Sequence, residues 1–276
     1  MNHSMHNTGK SSGAWYRIKN ESDIPSPALL VYPDRVEENI LRMIRISGDT
    51  FSLRPHVKTH KMPEIVRLQI KHGIRKFKCA TVAEAEMTAR SGAKDILLAY
   101  QPVGPNIERF LTLQERFREV QFSCIADNEE IIKELSDAAT KKDTIIRLWL
   151  DINVGMNRTG VLPGMEAADL YKMIIGKPGI KAEGFHVYDG HIHDNDFSER
   201  KRKCDEAFSK VNLLKKEIEE LTGSHVSIVA GGTPTFPVHA LRNGVEKSPG
   251  TLILWDYGSN SSYKDLDFLY AAVILT

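Results

Sequence analysis

The chain has 276 residues, 41% hydrophobic and 26% charged, with 37 Lys plus Arg against 36 Asp plus Glu and a net charge of +1. That is ordinary globular composition with room for a substantial core, and so balanced a charge offers no field for nucleic acid or an anionic membrane. Mean hydropathy is −0.31, and no apolar run is long enough to span a bilayer. The first residues, MNHSMHNTGKSSG, lack the apolar core of a signal peptide, so residues 1–26 are expected to be a disordered leader. Cys79, Cys124 and Cys204 match no zinc or disulfide spacing, which points to a reducing, cytoplasmic setting.

Short β-rich runs alternate with helical stretches. Residues 28–32 (ALLVY) predict a strand, and Pro33 opens a helix to about residue 46 with Val36, Ile40, Met43 and Ile44 on one face. A strand over 53–58 follows, then a helix over 62–72 that stops at Gly73. Strands over 76–81, 96–100, 121–126, 144–151, 180–187, 226–230 and 245–248 come next. Between them lie helices over about 82–90, from Pro105, from Asp127 as N-cap, over 165–175, over 197–221 and near 237–242. Eight strands from residue 53 to residue 248, all but the last followed by a helix, are the arithmetic of a (β/α)8 barrel. A doubly wound open sheet is the weaker alternative, because no GxGxxG follows the first strand. Residues 28–32 and a final run at 252–255 fall outside the count and could together begin a second, mostly β domain.

In such a barrel the chemistry sits at the C-terminal ends of the strands. The first barrel strand ends in RPHVKTHK. Alternation puts Arg54, His56, Lys58 and His60 on one face, pointing inward. A lysine buried there would have a lowered pKa, as a Schiff-base amine requires. Read alone, the segment is more often a solvated basic strand end. The fifth strand leads into DINVGMNRTG, where Arg158 could contact a phenolate oxygen or a carboxylate. The sixth gives GFHVYDGHIHD. His191 and His193 with Asp194 and Asp196 are metal-ligand types, but HxH spacing is a weak signal. The seventh and eighth end in AGGTPT and SPGT, glycine- and threonine-rich turns of the kind that bind a phosphate after strands seven and eight. A lysine, an anion cradle, and Arg, His and Tyr between them suit pyridoxal 5'-phosphate (PLP), with its aldehyde, ring and phosphate.

These segments, in this order, resemble the D-threonine aldolase / D-serine dehydratase family, part of the alanine-racemase-like, fold-type III PLP enzymes. The likeness runs from about Pro27 to the last residue, and RPHVKTHK is its most specific motif. The resemblance implies an α/β fold, a TIM-like (β/α)8 barrel of the alanine racemase type over residues 27–251, with the start of a C-terminal β domain over 252–276. It implies Lys58 as the Schiff-base lysine, Arg158 near the cofactor's phenolate, and His186 at the pyridine nitrogen. It also implies Thr233, Gly250 and Thr251 at the phosphate. His193 stands where some members have Tyr; His193, His60 or metal-bound water could take the substrate's hydroxyl proton in an aldol cleavage, and Lys58 is the natural base in a dehydration.

Two departures stand out. Ser248 replaces the Arg that alanine racemases carry before Pro-Gly, which argues against a plain alanine racemase. The family's C-terminal domain supplies a His-x-Cys or His-x-Asp metal pair that lies beyond Thr276. No metal ligand is therefore assigned within the chain, and a divalent metal (Mn or Zn) is expected only together with that domain. The expected function is a PLP-dependent lyase, aldolase or dehydratase, acting on a small D-3-hydroxy amino acid. The alternatives are an amino-acid racemase and a non-catalytic PLP-binding protein. No nucleic-acid or membrane partner is expected. A homodimer is, covering apolar surface around 252–255 and 269–275.

Overall fold

The computed structural model describes residues 15–276. The first fourteen residues of the expected leader lie outside the described residues. From Trp15 the chain is tied down: its ring meets Tyr32 edge-on at 5.1 Å, and Arg35 lies 4.0 Å over it.

Seven parallel strands form the central sheet: β2 (Lys76–Cys79), β3 (Asp95–Leu98), β4 (Gln121–Ala126), β5 (Ile146–Ile152), β6 (Ile180–Val187), β7 (Ser227–Ala230) and β8 (Val245–Lys247), each hydrogen-bonded to the next. β1 (Ala28–Val31) lies outside this sheet. The crossovers are the helices α3 (Val82–Arg90), α4 (Pro105–Arg116), α5 (Glu129–Lys141), α6 (Met165–Gly176), α7 (Phe197–Thr222) and α8 (Phe236–His239). They follow α1 (Pro33–Ser47) and α2 (Pro63–Lys71). Proline at the first helical position and a left-handed Gly48 after the last delimit α1. β6 carries a bulge where it meets β5. Gly184 sits there at φ +149°, and a Cβ would lie 2.0 Å from the Ser227 carbonyl oxygen, so only glycine fits.

The expected first barrel strand is realised differently. Leu53 bridges Lys247 and His56 bridges Lys78, both parallel, so residues 53–56 span the gap between β8 and β2 and complete the barrel. The ladder then stops. Pro55 has no amide hydrogen to offer, and Val57–Thr59 turns into a 3-10 helix. Strict inward alternation therefore fails here. Arg54 is buried at the seam, paired bidentately with Asp95 (2.7 and 3.0 Å) and with Glu246 (2.6 Å). Lys76 also reaches Glu246.

The other corrections are local. Asn128, not Asp127, caps α5 by accepting the Ile131 N–H at 3.0 Å. Residues 252–255, expected as a strand, belong to a 3-10 helix (Thr251–Ile253) and its end. Leu252, Ile253 and Trp255 are buried rather than exposed. A short helix, α9 (Tyr257–Ser262), follows, and the terminal strand β9 (Ala272–Leu275) pairs antiparallel with β1, not with residues 252–255. Leu29 and Ile274 on this two-stranded sheet are exposed. Inside the barrel, Leu97, Ile125, Trp149 and Val229 form a compact apolar plug, so the site above it has a rigid floor.

Candidate active site

A cavity of about 490 Å³ opens at the C-terminal ends of the strands. Lys58, Arg158 and His186, three of the residues singled out from sequence, line it together with His56, Lys78, Asp151 and Tyr188. Tyr188 is the common surface. The Lys58 Nζ lies 5.7 Å from its ring centroid, the Lys78 Nζ 5.8 Å and the Arg158 guanidinium carbon 5.1 Å.

The electrostatics follow from burial. Desolvation, then the Arg158 charge, holds the Lys58 amine below the ordinary lysine range. Lys78 is pushed down to about 7, first by burial and then by Lys58. His56 stays neutral for the same reasons, with Lys78 and Lys58 as its nearest charges. His186 Nδ1 lies 2.7 Å from Asp151 Oδ1. Burial lowers the pKa of His186 and outweighs the opposing pull of Asp151. Burial alone would raise Asp151, but His186 keeps it ionised and below its usual value. The Nδ1–H donates to this carboxylate, leaving Nε2 as a buried lone pair with no partner among the described residues.

The loop carrying Arg158 is anchored from both sides. Asp127 Oδ2 accepts the Gly160 N–H at 2.8 Å, and Asn153 Oδ1 accepts from Gly155 and Asn157. His191 packs against Gly155 so closely that a Cβ there would lie 2.6 Å from its Nε2. The two glycine-rich turns also meet. Thr233 Oγ1 accepts the N–H of Gly250 (3.2 Å) and of Thr251 (3.0 Å). A Cβ on Gly250 would sit 3.2 Å from the His56 carbonyl oxygen and 3.4 Å from Thr59 Oγ1. The two glycine-rich turns therefore abut the turn that carries Lys58.

Five expected residues do not line the cavity: Thr233, Gly250 and Thr251, whose turns lie beside the segment carrying Lys58, and His193 and His60. His193 is exposed on the β6–α7 loop. His60 is buried with its Nδ1 accepting the Met62 N–H, but it is not part of the cavity lining, and burial brings it down to about 4. In the HxH segment, Asp194 pairs with Lys203 at 2.6 Å and Asp196 caps α7. A different group was not visible from spacing: Asp189, Cys204 and His239 bring their donor atoms within 4.8 Å of one another. His239 Nε2 donates to Asp189 (2.8 Å), its Nδ1 accepts from Arg242 (2.8 Å), and Thr235 donates to Asp189 (2.8 Å). Burial raises the Cys204 thiol to about 12. These contacts make the group a hydrogen-bonded brace beneath the turn that holds Tyr188.

Sequence reasoning also missed Lys78. The signal was present: in KFKC, Phe77 and Cys79 alternate outward into the helix-facing core, which turns Lys78 inward.

Residues 31–245 match the profile of the alanine racemase N-terminal domain. The chain is similar to a 3-hydroxy-D-aspartate aldolase of Paracoccus denitrificans (strain Pd 1222), 30% identical over 224 residues, covering 78% of this chain and 56% of the relative. It is similar to a D-threonine aldolase of an Arthrobacter species, 28% identical over 244 residues, covering 86% of this chain and 63% of that one. The chain thus spans less than two thirds of the length of either. Among solved structures, a D-threonine aldolase from Filomicrobium marinum superposes with a TM-score of 0.83 at 25% identity, over 92% of this chain and 69% of that one. A D-threo-3-hydroxyaspartate dehydratase from Delftia sp. HT23, at 22% identity and a TM-score of 0.72 over 92% and 68% of the two chains, shares the fold.

Proposed function

This chain belongs to the alanine racemase N-terminal-domain family, and from that premise we propose that it is a PLP-dependent lyase acting on a D-3-hydroxy amino acid. The observation that carries the reading is the convergence of Lys58, Arg158 and His186 on one 490 Å³ cavity, with two glycine- and threonine-rich turns packed against the turn that carries Lys58. The residues fit the cofactor at three points. The His186 Nε2 lone pair, buried and unpartnered among the described residues, suits a protonated ring nitrogen. The Thr233 hydroxyl accepts from the Gly250 and Thr251 N–H groups and keeps its own hydrogen to donate to a phosphate oxygen. Arg158, facing Tyr188 at the cavity, supplies a cation for the phenolate oxygen. Relatives named aldolase and dehydratase support the reaction class.

When bound, the cofactor would take up the negative charge left at the substrate's Cα. The chain does the rest. Lys58, which is exposed at the cavity mouth rather than buried as its strand alternation predicted, offers its amine to the cofactor's aldehyde and takes part again when product leaves. Asp151 holds His186 in one tautomer, so the ring contact has a fixed polarity. Tyr188 forms one wall, held by the Asp189–His239 brace, and limits water at the reacting carbon.

Cytoplasmic location and a homodimer belong to the same reading. Three free, buried thiols suit a reducing compartment, and a second copy would cover the exposed Leu29 and Ile274. No helix among the described residues is long and apolar enough to cross a membrane. A divalent metal is expected to act only with the family's C-terminal metal pair. The test is visible absorbance on adding PLP. A new band in the wild type that is lost in Lys58→Ala supports the reading, and an identical spectrum in both proteins overturns it.

A further inference from the structure

β2 delivers a second amine to the cavity. Lys78 is 2% exposed, lines the cavity, and its Nζ makes no hydrogen bond and no ion pair among the described residues. Burying a lysine without a partner is costly, and a hydrophobic residue would pack the barrel at no such cost. The charged and titratable groups around it are Lys58 and His56 on the neighbouring turn, Asp151 on β5, His186 on β6, Asp189 after β6, and Arg54 at the seam. Arg54 is already paired to Asp95 and Glu246, Asp151 to His186, and Asp189 to His239 and Thr235. Lys78 is left over from every network, within 5.8 Å of the Tyr188 ring that Lys58 and Arg158 also face.

We propose that Lys78 is a catalytic base of this cavity, the group that takes the proton from the substrate's β-hydroxyl. The proposal rests on the lyase reading above and names a side chain of the cavity for a step to which His193 and His60, both outside the cavity lining, are not brought. The step balances. The hydroxyl proton passes to the Lys78 Nζ, and the O–H electron pair becomes the second C–O bond of the departing aldehyde. The Cα–Cβ bond breaks and its pair stays at Cα, where the cofactor would delocalise it. The proton held by Lys78 is returned as Cα is reprotonated. In the cofactor-free protein burial and the Lys58 charge bring the amine down to about 7, so an unpaired base stands in the cavity at neutral pH, as general-base chemistry requires.

The experiment has three arms. First, the PLP-free protein carrying isotope-labelled lysine is titrated by NMR. One lysine Nζ should titrate near pH 7, and that signal should vanish in Lys78→Met; every lysine titrating near the ordinary value of about 10.4 overturns the proposal. Second, wild type, Lys78→Met and Lys78→Arg are loaded with PLP, reduced with borohydride and mapped. All three should carry pyridoxyl-Lys58. Third, cleavage of D-threonine, D-serine and D-3-hydroxyaspartate is compared with exchange of the Cα proton of D-alanine, which has no β-hydroxyl. Both variants should lose cleavage by roughly 100-fold or more and lose the rise in kcat/KM near pH 7, while exchange falls less than about threefold. Cleavage unchanged, cleavage and exchange falling together, or no cleavage by a wild type that carries pyridoxyl-Lys58 each overturns the base assignment alone. No pyridoxyl on wild-type Lys58 overturns the lyase reading and the assignment with it.

Discussion

The barrel seam makes a demanding prediction. Residues 53–56 join β8 and β2 through isolated bridges rather than a full ladder, and the ion pairs of Arg54 supplement them. Arg54→Met keeps most of the side-chain length and removes the charge. Asp95 and Glu246 are then left at a nearly closed seam, with side chains 17% and 16% exposed and only Lys76 still paired to Glu246. Breaking a buried pair in this way costs about 3–5 kcal/mol. The residual exposure of both carboxylates and the surviving Lys76 contact place the expected loss at the lower end, about 3 kcal/mol. Against a typical stability of roughly 5–15 kcal/mol, that is a large fraction. Urea unfolding followed by circular dichroism should show a clearly lower midpoint with an unchanged slope. The double variant Arg54→Met/Asp95→Asn should recover at least about 1 kcal/mol, because one stranded charge is gone. A loss under about 1 kcal/mol, or no recovery in the double variant, would refute the claim that charge holds the seam.

Three further outcomes are expected. Thr233→Ala removes the acceptor shared by two N–H groups and should lower the stability of the PLP-free protein by about 1–3 kcal/mol; an unchanged melting temperature would contradict this. Asp127→Ala frees the Gly160 N–H, removing a charge-assisted bond of about 1.5–3 kcal/mol, so limited proteolysis should cut the 153–160 loop faster than in wild type. His60 has a folded pKa of about 4 against 6.5, so the unfolded chain binds more protons between those values. Its contribution is complete above pH 6.5 and is lost as pH falls toward 4, by on the order of 3 kcal/mol. His60→Asn, which keeps an acceptor for the Met62 N–H, should flatten that part of the stability profile; a profile of unchanged slope would count against it.

The regular parts of the fold were legible because crossover helices and buried parallel strands leave strong periodic signals. α3, β4 and β6 were placed to the residue. The first barrel strand was not, because RPHVK combines alternation with a proline that withholds a ladder hydrogen bond, and local pattern cannot tell that the turn wins. Residues 252–255 are apolar through burial under α1 rather than through strand pairing, and composition does not separate the two. At the site, motif order indicated Lys58, Arg158 and His186, which the cavity brings together. The importance of Asp127 was visible, but its role was misassigned: its carboxylate serves a loop 33 residues away rather than the helix beside it. Lys78 was legible from the KFKC alternation and was overlooked, whereas the Asp189–Cys204–His239 brace depends on long-range neighbours that sequence spacing does not encode.

The central claim is that Lys58 is the cofactor lysine of this cavity. Its most direct test is borohydride reduction of the PLP-loaded protein, followed by digestion and peptide mapping by mass spectrometry. The account predicts a single pyridoxyl group, on the peptide containing Lys58. A pyridoxyl group on Lys78 or another lysine instead, or none at all, would contradict it.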